Sequence, residues 1–265
     1  MSDAIKHECG IALIRLLQPL EYYTEKYRTT SYAINKLYLL MEKQHNRGQD
    51  GAGMAVIKFD PQPGSHFINR VRSSRSQSIV DIFDQVYSHF PKDRKPLEDP
   101  VAETEWHKQN NPFIGEVLLG HLRYGTYGRN NDSYCHPFIR ENNWMTRNLA
   151  LAGNFNMTNV DEQFNLLIQL GQHPIERSDT ITVMEKIGHF LDEEVQKIFD
   201  RYKDQGYGNK EITSFIMKEL SVRRILSRAA KDFDGGYAMA GMFGHGDAFV
   251  LRDPNGIRPA YFYQD

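Results

Sequence analysis

Apolar positions along the chain follow two kinds of pattern. Near both ends they form short continuous or alternating runs, and between these they recur at helical spacing. The run GIALIRLL after Cys9 predicts a buried strand. Ala33, Leu37, Leu40 and Met41 predict a helix over about 29–44. The segment HNRGQDG then turns the chain into a second strand at 53–59. Residues 60–112 have the least core-like pattern, with several prolines, the polar patch SSRSQS and the charged run KDRKPLEDP. They predict a surface excursion with mobile tips, interrupted by one helix near 79–90. Strands resume at 114–124 and 148–152, and helical periodicity follows at 160–170, 181–202 and 211–230. Thr158 and Asn159 precede the first of these helices, and Ser178 and Asp179 the second, all good N-cap types. A closing hairpin pairs 236–243 with 247–251 around Gly244-His245-Gly246. The turn Asp253-Pro254-Asn255-Gly256 leads on to 257–262. Strands, then helices, then strands again predict an α+β chain with antiparallel sheets and helices packed outside them.

Composition narrows the function. The chain has 265 residues, 25% charged and 40% hydrophobic, enough for a substantial core. Lys+Arg total 32 and Asp+Glu 34, a balance that argues against a general nucleic-acid binder. No apolar run approaches the roughly 18 residues of a membrane span. Residues 1–8 are too short and polar for a secretory signal, so a reducing cytoplasm is the expected compartment. The two cysteines, Cys9 and Cys135, give no disulfide framework. The histidines lack metal-ligand spacing, and no metal or other cofactor is expected. His121 and His136 are expected to pack or hydrogen-bond.

Cys9 has two readings. A lone cysteine beside an apolar strand is most simply a small buried hydrophobe. It can instead be a nucleophile if a base lies near, and an N-terminal α-amine is such a base. The amine's reference pKa of roughly 7.7–8.0 leaves a useful fraction neutral at physiological pH. That role requires removal of residues 1–8.

Seven blocks in order favour the nucleophile. They are Cys9-Gly10-Ile11, Gln44–Gly53 (QHNRGQDGAG), Gly120–Thr126 (GHLRYGT), Gly153–Asn159 (GNFNMTN), Ser178-Asp179-Thr180, Asp234–Tyr237 (DGGY) and Arg252–Pro259 (RDPNGIRP). Together they resemble the glutaminase half of the amidophosphoribosyltransferases, class II glutamine amidotransferases of the N-terminal-nucleophile hydrolase group. The resemblance spans nearly the whole chain. It implies a four-layer αββα sandwich over residues 9–265, after a leader at 1–8 that is removed. It also implies hydrolysis of L-glutamine through a Cys9 thioester.

Site roles follow from that resemblance. Arg123 would grip the glutamine α-carboxylate, which a planar guanidinium can do bidentately, although a strand arginine can also be purely structural. Thr126 would hydrogen-bond in the same pocket. Asp179 would accept the substrate α-ammonium and is equally a candidate helix cap. Asn154 would donate its side-chain amide to the tetrahedral oxyanion. The family block has glycine next, whose backbone N–H is the second donor; here Phe155 stands in its place. Phe155 keeps an N–H, but a positive φ would cost it on the order of 1 kcal/mol or more. Arg47 lies in a block usually written His-Arg-Gly-Gln-Asp and would order the surroundings of the thiol; the intervening Asn46 puts His45 one position out.

In the complete family enzymes a phosphoribosyltransferase domain uses the ammonia on phosphoribosyl pyrophosphate to make phosphoribosylamine for purine biosynthesis. No segment of this chain matches that domain, which is the expected partner, in an enzyme expected to be a homo-oligomer. Neither a nucleic acid nor a membrane is expected as a partner. The alternatives are a catalytically impaired glutamine-binding or interaction domain of the same fold, and the glutaminase domain of another class II amidotransferase. A peptidase of the same group is disfavoured, because Arg123 and Asp179 suit the two charges of a free amino acid.

Overall fold

The apolar run after Cys9 becomes β1 (Gly10–Arg15), the first strand in a computed structural model that describes residues 8–125 and 131–265. The chain forms two units, each with its own core. The first takes residues up to Pro137 together with Ala152–Asn154. After β1 it contains α1 (Leu20–Tyr27), α2 (Tyr32–Glu42), β2 (Gly51–Ile57), β3 (Ile68–Ser73), α3 (Ser78–Ser88), α4 (Pro100–Asn110) and β4 (Val117–Arg123). Its strands form an antiparallel sheet in the order β1-β4-β2-β3. Leu122 of β4 faces Gly10 on one side and Ala52 on the other. That register brings Cys9, the loop before Gly51 and Arg123 to one end of the sheet.

Helix α2 packs on β1 and β4, and α3 on β2 and β3. Ala33, Leu37 and Met41 are buried as the helical spacing predicts, whereas Leu40 is exposed. Gly120 lies close under α2: a Cβ there would lie 2.5 Å from the Met41 sulfur, and that side chain would have to shift. Residues 60–112 hold more structure than the expected excursion with one helix. β3 pairs with Ala52–Ile57 of β2, and α3 buries Ile82, Phe83 and Val86 in the core. Helix α4 starts with Asp99 accepting hydrogen bonds from the Val101 and Ala102 backbone N–H groups and Pro100 in its first turn.

The second unit takes Phe138–Leu151 and Phe155–Asp265. It contains β5 (Phe138–Arg140), β6 (Leu149–Met157, whose Ala152–Asn154 count with the first unit), α5 (Val160–Gln169), α6 (Asp179–Lys203), α7 (Asn209–Glu219), α8 (Val222–Ala229), β7 (Gly235–Phe243) and β8 (Ala248–Arg252). The sheet order is β5-β6-β7-β8. Helix α6 forms the spine of the core, burying Met184, Ile187, Leu191 and Val195 at helical spacing. The predicted helix over 211–230 is two helices. Ser221 interrupts it, and its hydroxyl accepts from the Arg224 N–H to start α8. Residues 257–262 form no strand, and Tyr261, Phe262 and Tyr263 are exposed. Among the described residues no helix is long and apolar enough to cross a membrane.

Candidate active site

In the first unit, residues from four of the seven blocks meet around the Glu8–Cys9 junction. The Tyr124 backbone N–H, just past the end of β4, donates to Cys9 Sγ at 3.5 Å. Arg47 sits in a short 3₁₀ turn, His45–Arg47, between α2 and β2. Its Nη2 lies 3.0 Å from a Glu8 carboxylate oxygen, and its Nε lies 3.5 Å from the Cys9 carbonyl oxygen. Asn154 Nδ2 donates to the same Glu8 oxygen at 3.3 Å. His45 turns away, its Nδ1 lying 2.8 Å from the Glu42 carbonyl.

The loop that carries Arg47 is tied to the end of β4. The Asp50 N–H donates to the Arg123 carbonyl at 3.0 Å, and the Asp50 carboxylate accepts from the Gly125 N–H at 2.8 Å. Gly48 makes this approach possible. Its backbone is extended, and a Cβ there would lie 2.7 Å from Leu122 and Arg123 backbone atoms. The QDG block is therefore more than a turn.

Burial pushes the Cys9 thiol above its ordinary pKa, against the opposing pull of the Tyr124 N–H and the Arg123 and Arg47 charges. A half-buried thiol of this kind is protonated near neutral pH and needs a base to attack. Arg123 is itself buried at 7% exposure, with its guanidinium 5.8 Å from the Tyr134 ring. Cys135, the other free thiol, lies wholly buried beside it. Burial raises the Cys135 pKa too, and its sulfur covers Gly51, where a Cβ would lie 2.6 Å away.

Two histidines complete this site. The His121 and His136 rings stack with centroids 4.2 Å apart. His136 Nδ1 accepts from the Gly153 N–H at 3.0 Å, and His121 Nε2 donates to the Gly153 carbonyl at 3.3 Å. Burial lowers both pKa values, that of His121 to about 3. Sequence reasoning placed both rings as packing or hydrogen-bonding residues but did not connect them to Gly153, which precedes Asn154. The GHLRYGT block was a signal for His121; His136 and Glu8 lie in none of the seven blocks.

Three predicted residues remain. Thr126 falls outside the described residues. In the second unit Phe155 is part of β6, partly buried against the core, and its φ is not positive. The strain expected for a side chain at a positive φ therefore does not arise. Asp179 begins α6, but Ser178 is the N-cap, its hydroxyl accepting from the Ile181 N–H. The Asp179 carboxylate instead accepts from the Met157 N–H at 3.1 Å, and burial raises its pKa. Asp234-Gly235-Gly236 shapes the start of β7. Gly235 takes φ +105°, and a Cβ there would lie 2.3 Å from the Asn156 carbonyl. The Asp253 carboxylate closes its turn on the Ile257 and Arg258 N–H groups.

No family model matches the chain. Curated relatives do. An amidophosphoribosyltransferase of Pasteurella multocida is 26% identical over 226 residues, covering 84% of this chain and 34% of its own length. One of Methanothermobacter thermautotrophicus is 24% identical over 259 residues, covering 97% of this chain and 40% of its own. This chain thus spans little more than a third of the length of the curated relatives it matches. Among solved structures, one described as the allosteric regulatory enzyme of purine biosynthesis aligns with TM-score 0.52 and 18% identity, over 95% of this chain and 38% of that one. The mixed α/β architecture with antiparallel sheets matches that fold. By sequence the chain is similar to the amidophosphoribosyltransferases, the family that its seven motif blocks resemble.

Proposed function

We propose that this chain is a class II glutaminase domain of the amidophosphoribosyltransferase type, a cytoplasmic four-layer αββα sandwich. Its Cys9 becomes the N-terminal residue before it acts. The observation that carries this reading is the meeting of Tyr124, Arg47 and Asn154 on the Glu8–Cys9 junction. A buried structural cysteine would need none of these groups, whereas a nucleophile that first cleaves its own preceding peptide would use all of them.

Processing comes first. The Cys9 sulfur attacks the Glu8 carbonyl carbon, the Glu8–Cys9 C–N bond breaks, and the thiol proton goes to the departing nitrogen. Water then opens the Glu8 thioester, giving a free Glu8 carboxyl group, the Cys9 thiol and a free α-amine. That amine supplies what the protonated thiol lacks. In the glutaminase reaction it takes the thiol proton as sulfur attacks the glutamine side-chain carbonyl. It returns the proton to the leaving nitrogen, and ammonia departs. Water hydrolyses the γ-glutamyl thioester to glutamate. Asn154 donates to the oxyanion of each tetrahedral species, a contribution on the order of 10²–10³ in rate. Arg123 and Thr126 hold the substrate carboxylate end, Asp179 takes the ammonium and Phe155 supplies a backbone donor, the roles implied by the family resemblance. No metal or cofactor enters these steps.

The ammonia is meant for phosphoribosyl pyrophosphate on a phosphoribosyltransferase domain, the activity that gives the relatives their name, in a homo-oligomeric purine-pathway enzyme. The test compares intact mass with glutamine hydrolysis in one preparation. Activity is expected to track the fraction of protein that begins at Cys9, and Cys9→Ala is expected to keep its leader and hydrolyse no glutamine. Full activity from protein that still carries Glu8 would rule out the amine as base.

A further inference from the structure

His121 and His136 hold both polar backbone groups of one residue, Gly153. The His136 Nδ1 acceptor takes the N–H of the Ala152–Gly153 peptide. The His121 Nε2 donor holds the carbonyl of the Gly153–Asn154 peptide. The two rings are stacked on each other and buried at 1% and 9% exposure, so neither hydrogen bond competes with water. The β5 ladder stops opposite Leu151, short of Gly153. On the β5 side two side chains therefore take the place of the ladder, holding the peptide groups on both sides of Gly153 and with them the Cα of Asn154. The Asn154 amide in turn points at the Glu8 carboxylate beside Cys9.

We propose that the stacked His121–His136 pair is a positioning clamp that aims the Asn154 amide at the developing oxyanion, both in leader cleavage and in glutamine hydrolysis. The inference rests on the glutaminase reading and deepens it. Each ring is needed in one tautomer, His121 with its proton on Nε2 and His136 with Nδ1 bare. A protonated His136 would set its Nδ1–H against the Gly153 N–H, donor facing donor, and break the clamp. Burial and the nearby Arg123 and Arg72 charges hold that state off. Neither ring needs to touch glutamine, so the clamp affects turnover more than substrate binding.

Paired variants of each histidine separate positioning from bulk packing. Asn places an oxygen where His Nδ1 lies, and Gln places an N–H where His Nε2–H lies. His136→Asn and His121→Gln therefore keep the hydrogen bonds, while His136→Leu and His121→Leu keep the volume and lose them. For each full-length protein, thermal melting reports folding, intact mass reports leader removal, and steady-state kinetics of the processed fraction report kcat and KM for glutamine. The leucine variants are expected to lose at least tenfold in kcat with KM within about twofold, and to process slowly. The Asn and Gln variants should recover most of both. In an Asn154→Ala background, where the aimed donor is gone, adding His136→Leu should cost less than threefold more, because the two changes remove one effect.

Leucine variants that fold and turn over within twofold of the parent would overturn the clamp. So would full multiplicative losses in the Asn154→Ala background, or leucine variants that fold only with a general loss of binding and turnover that His136→Asn and His121→Gln do not rescue. Cys9→Ala separates this from failure of the underlying reading. If Cys9→Ala still hydrolyses glutamine, or if the parent neither sheds its leader nor hydrolyses glutamine, the glutaminase reading falls and the clamp with it.

Discussion

Arg123 shows how much one residue's chemistry depends on its surroundings. A strand arginine on a surface could be exchanged for lysine at little cost. Here Arg123 is 7% exposed, at the strand end that leads into Tyr124 and faces Gly51. A planar fork holds a carboxylate through two parallel hydrogen bonds, whereas an ammonium holds it as a point charge. Arg123→Lys keeps the net charge but is expected to raise KM for glutamine at least tenfold, with a smaller change in kcat. Steady-state kinetics on processed protein would check this, and an unchanged KM would place the glutamine carboxylate elsewhere. Cys135, beside Arg123, is expected to escape a glutamine-analogue electrophile that labels Cys9. It is fully buried, and its sulfur is engaged with the Ser73 carbonyl at 3.6 Å.

At the scale of elements, the legible parts were those where one pattern dominated. β1, α2, α5, α6 and the β7–β8 hairpin follow from apolar runs or helical spacing close to where these predicted them. β3 was hidden because INRVRS alternates weakly at the edge of a sheet, where one side of the strand has no partner strand among the described residues. The break between α7 and α8 was hidden because apolar periodicity runs on through Ser221, and only the cap geometry ends one helix and begins the next. Close backbone approaches are invisible to periodicity altogether. Gly48 and Gly53 look like loop and strand glycines, yet a Cβ at Gly53 would lie 2.1 Å from the His136 carbonyl and one at Gly48 would meet three backbone atoms at 2.7 Å. Backbone cannot yield as a flexible side chain can. Gly48→Ala is expected to cost about 3 kcal/mol or more in urea denaturation, or to displace the Arg47 loop and abolish activity. A loss within about 0.5 kcal/mol, with activity kept, would show that this loop is free to shift.

For the molecule as a whole, motif order carried the family resemblance and Cys9, Arg47, Arg123 and Asn154 as candidate site residues. It could not supply Glu8 or the histidine clamp, whose partners lie far apart in sequence and are backbone groups. The buried imidazoles have a global consequence that the sequence also could not show. His121, His136 and His107 all have lowered pKa values, chiefly through burial, with that of His121 at about 3. Unfolded, each would titrate near the ordinary histidine value of about 6.5. Below that pH the unfolded chain binds protons that the folded chain refuses, so stability falls as pH falls. Each imidazole that protonates only on unfolding adds up to about 1.4 kcal/mol per pH unit to that slope. Glu194, held down by its Lys197 and Arg224 partners, acts in the same direction but only below its ordinary value of 4.5. Asp179 is raised, so it acts the opposite way, favouring the fold as it takes up a proton in acid. The span between about pH 4.5 and 6.5 therefore belongs mainly to the histidines. Melting temperature is expected to fall steadily from pH 6.5 to 4.5. In a His121→Gln/His136→Asn double variant, which keeps the Gly153 hydrogen bonds, that decline should be markedly shallower, although stability near pH 7.5 changes little. An equal slope in the parent and the double variant would mean that these two rings do not stay neutral in the folded protein through this span.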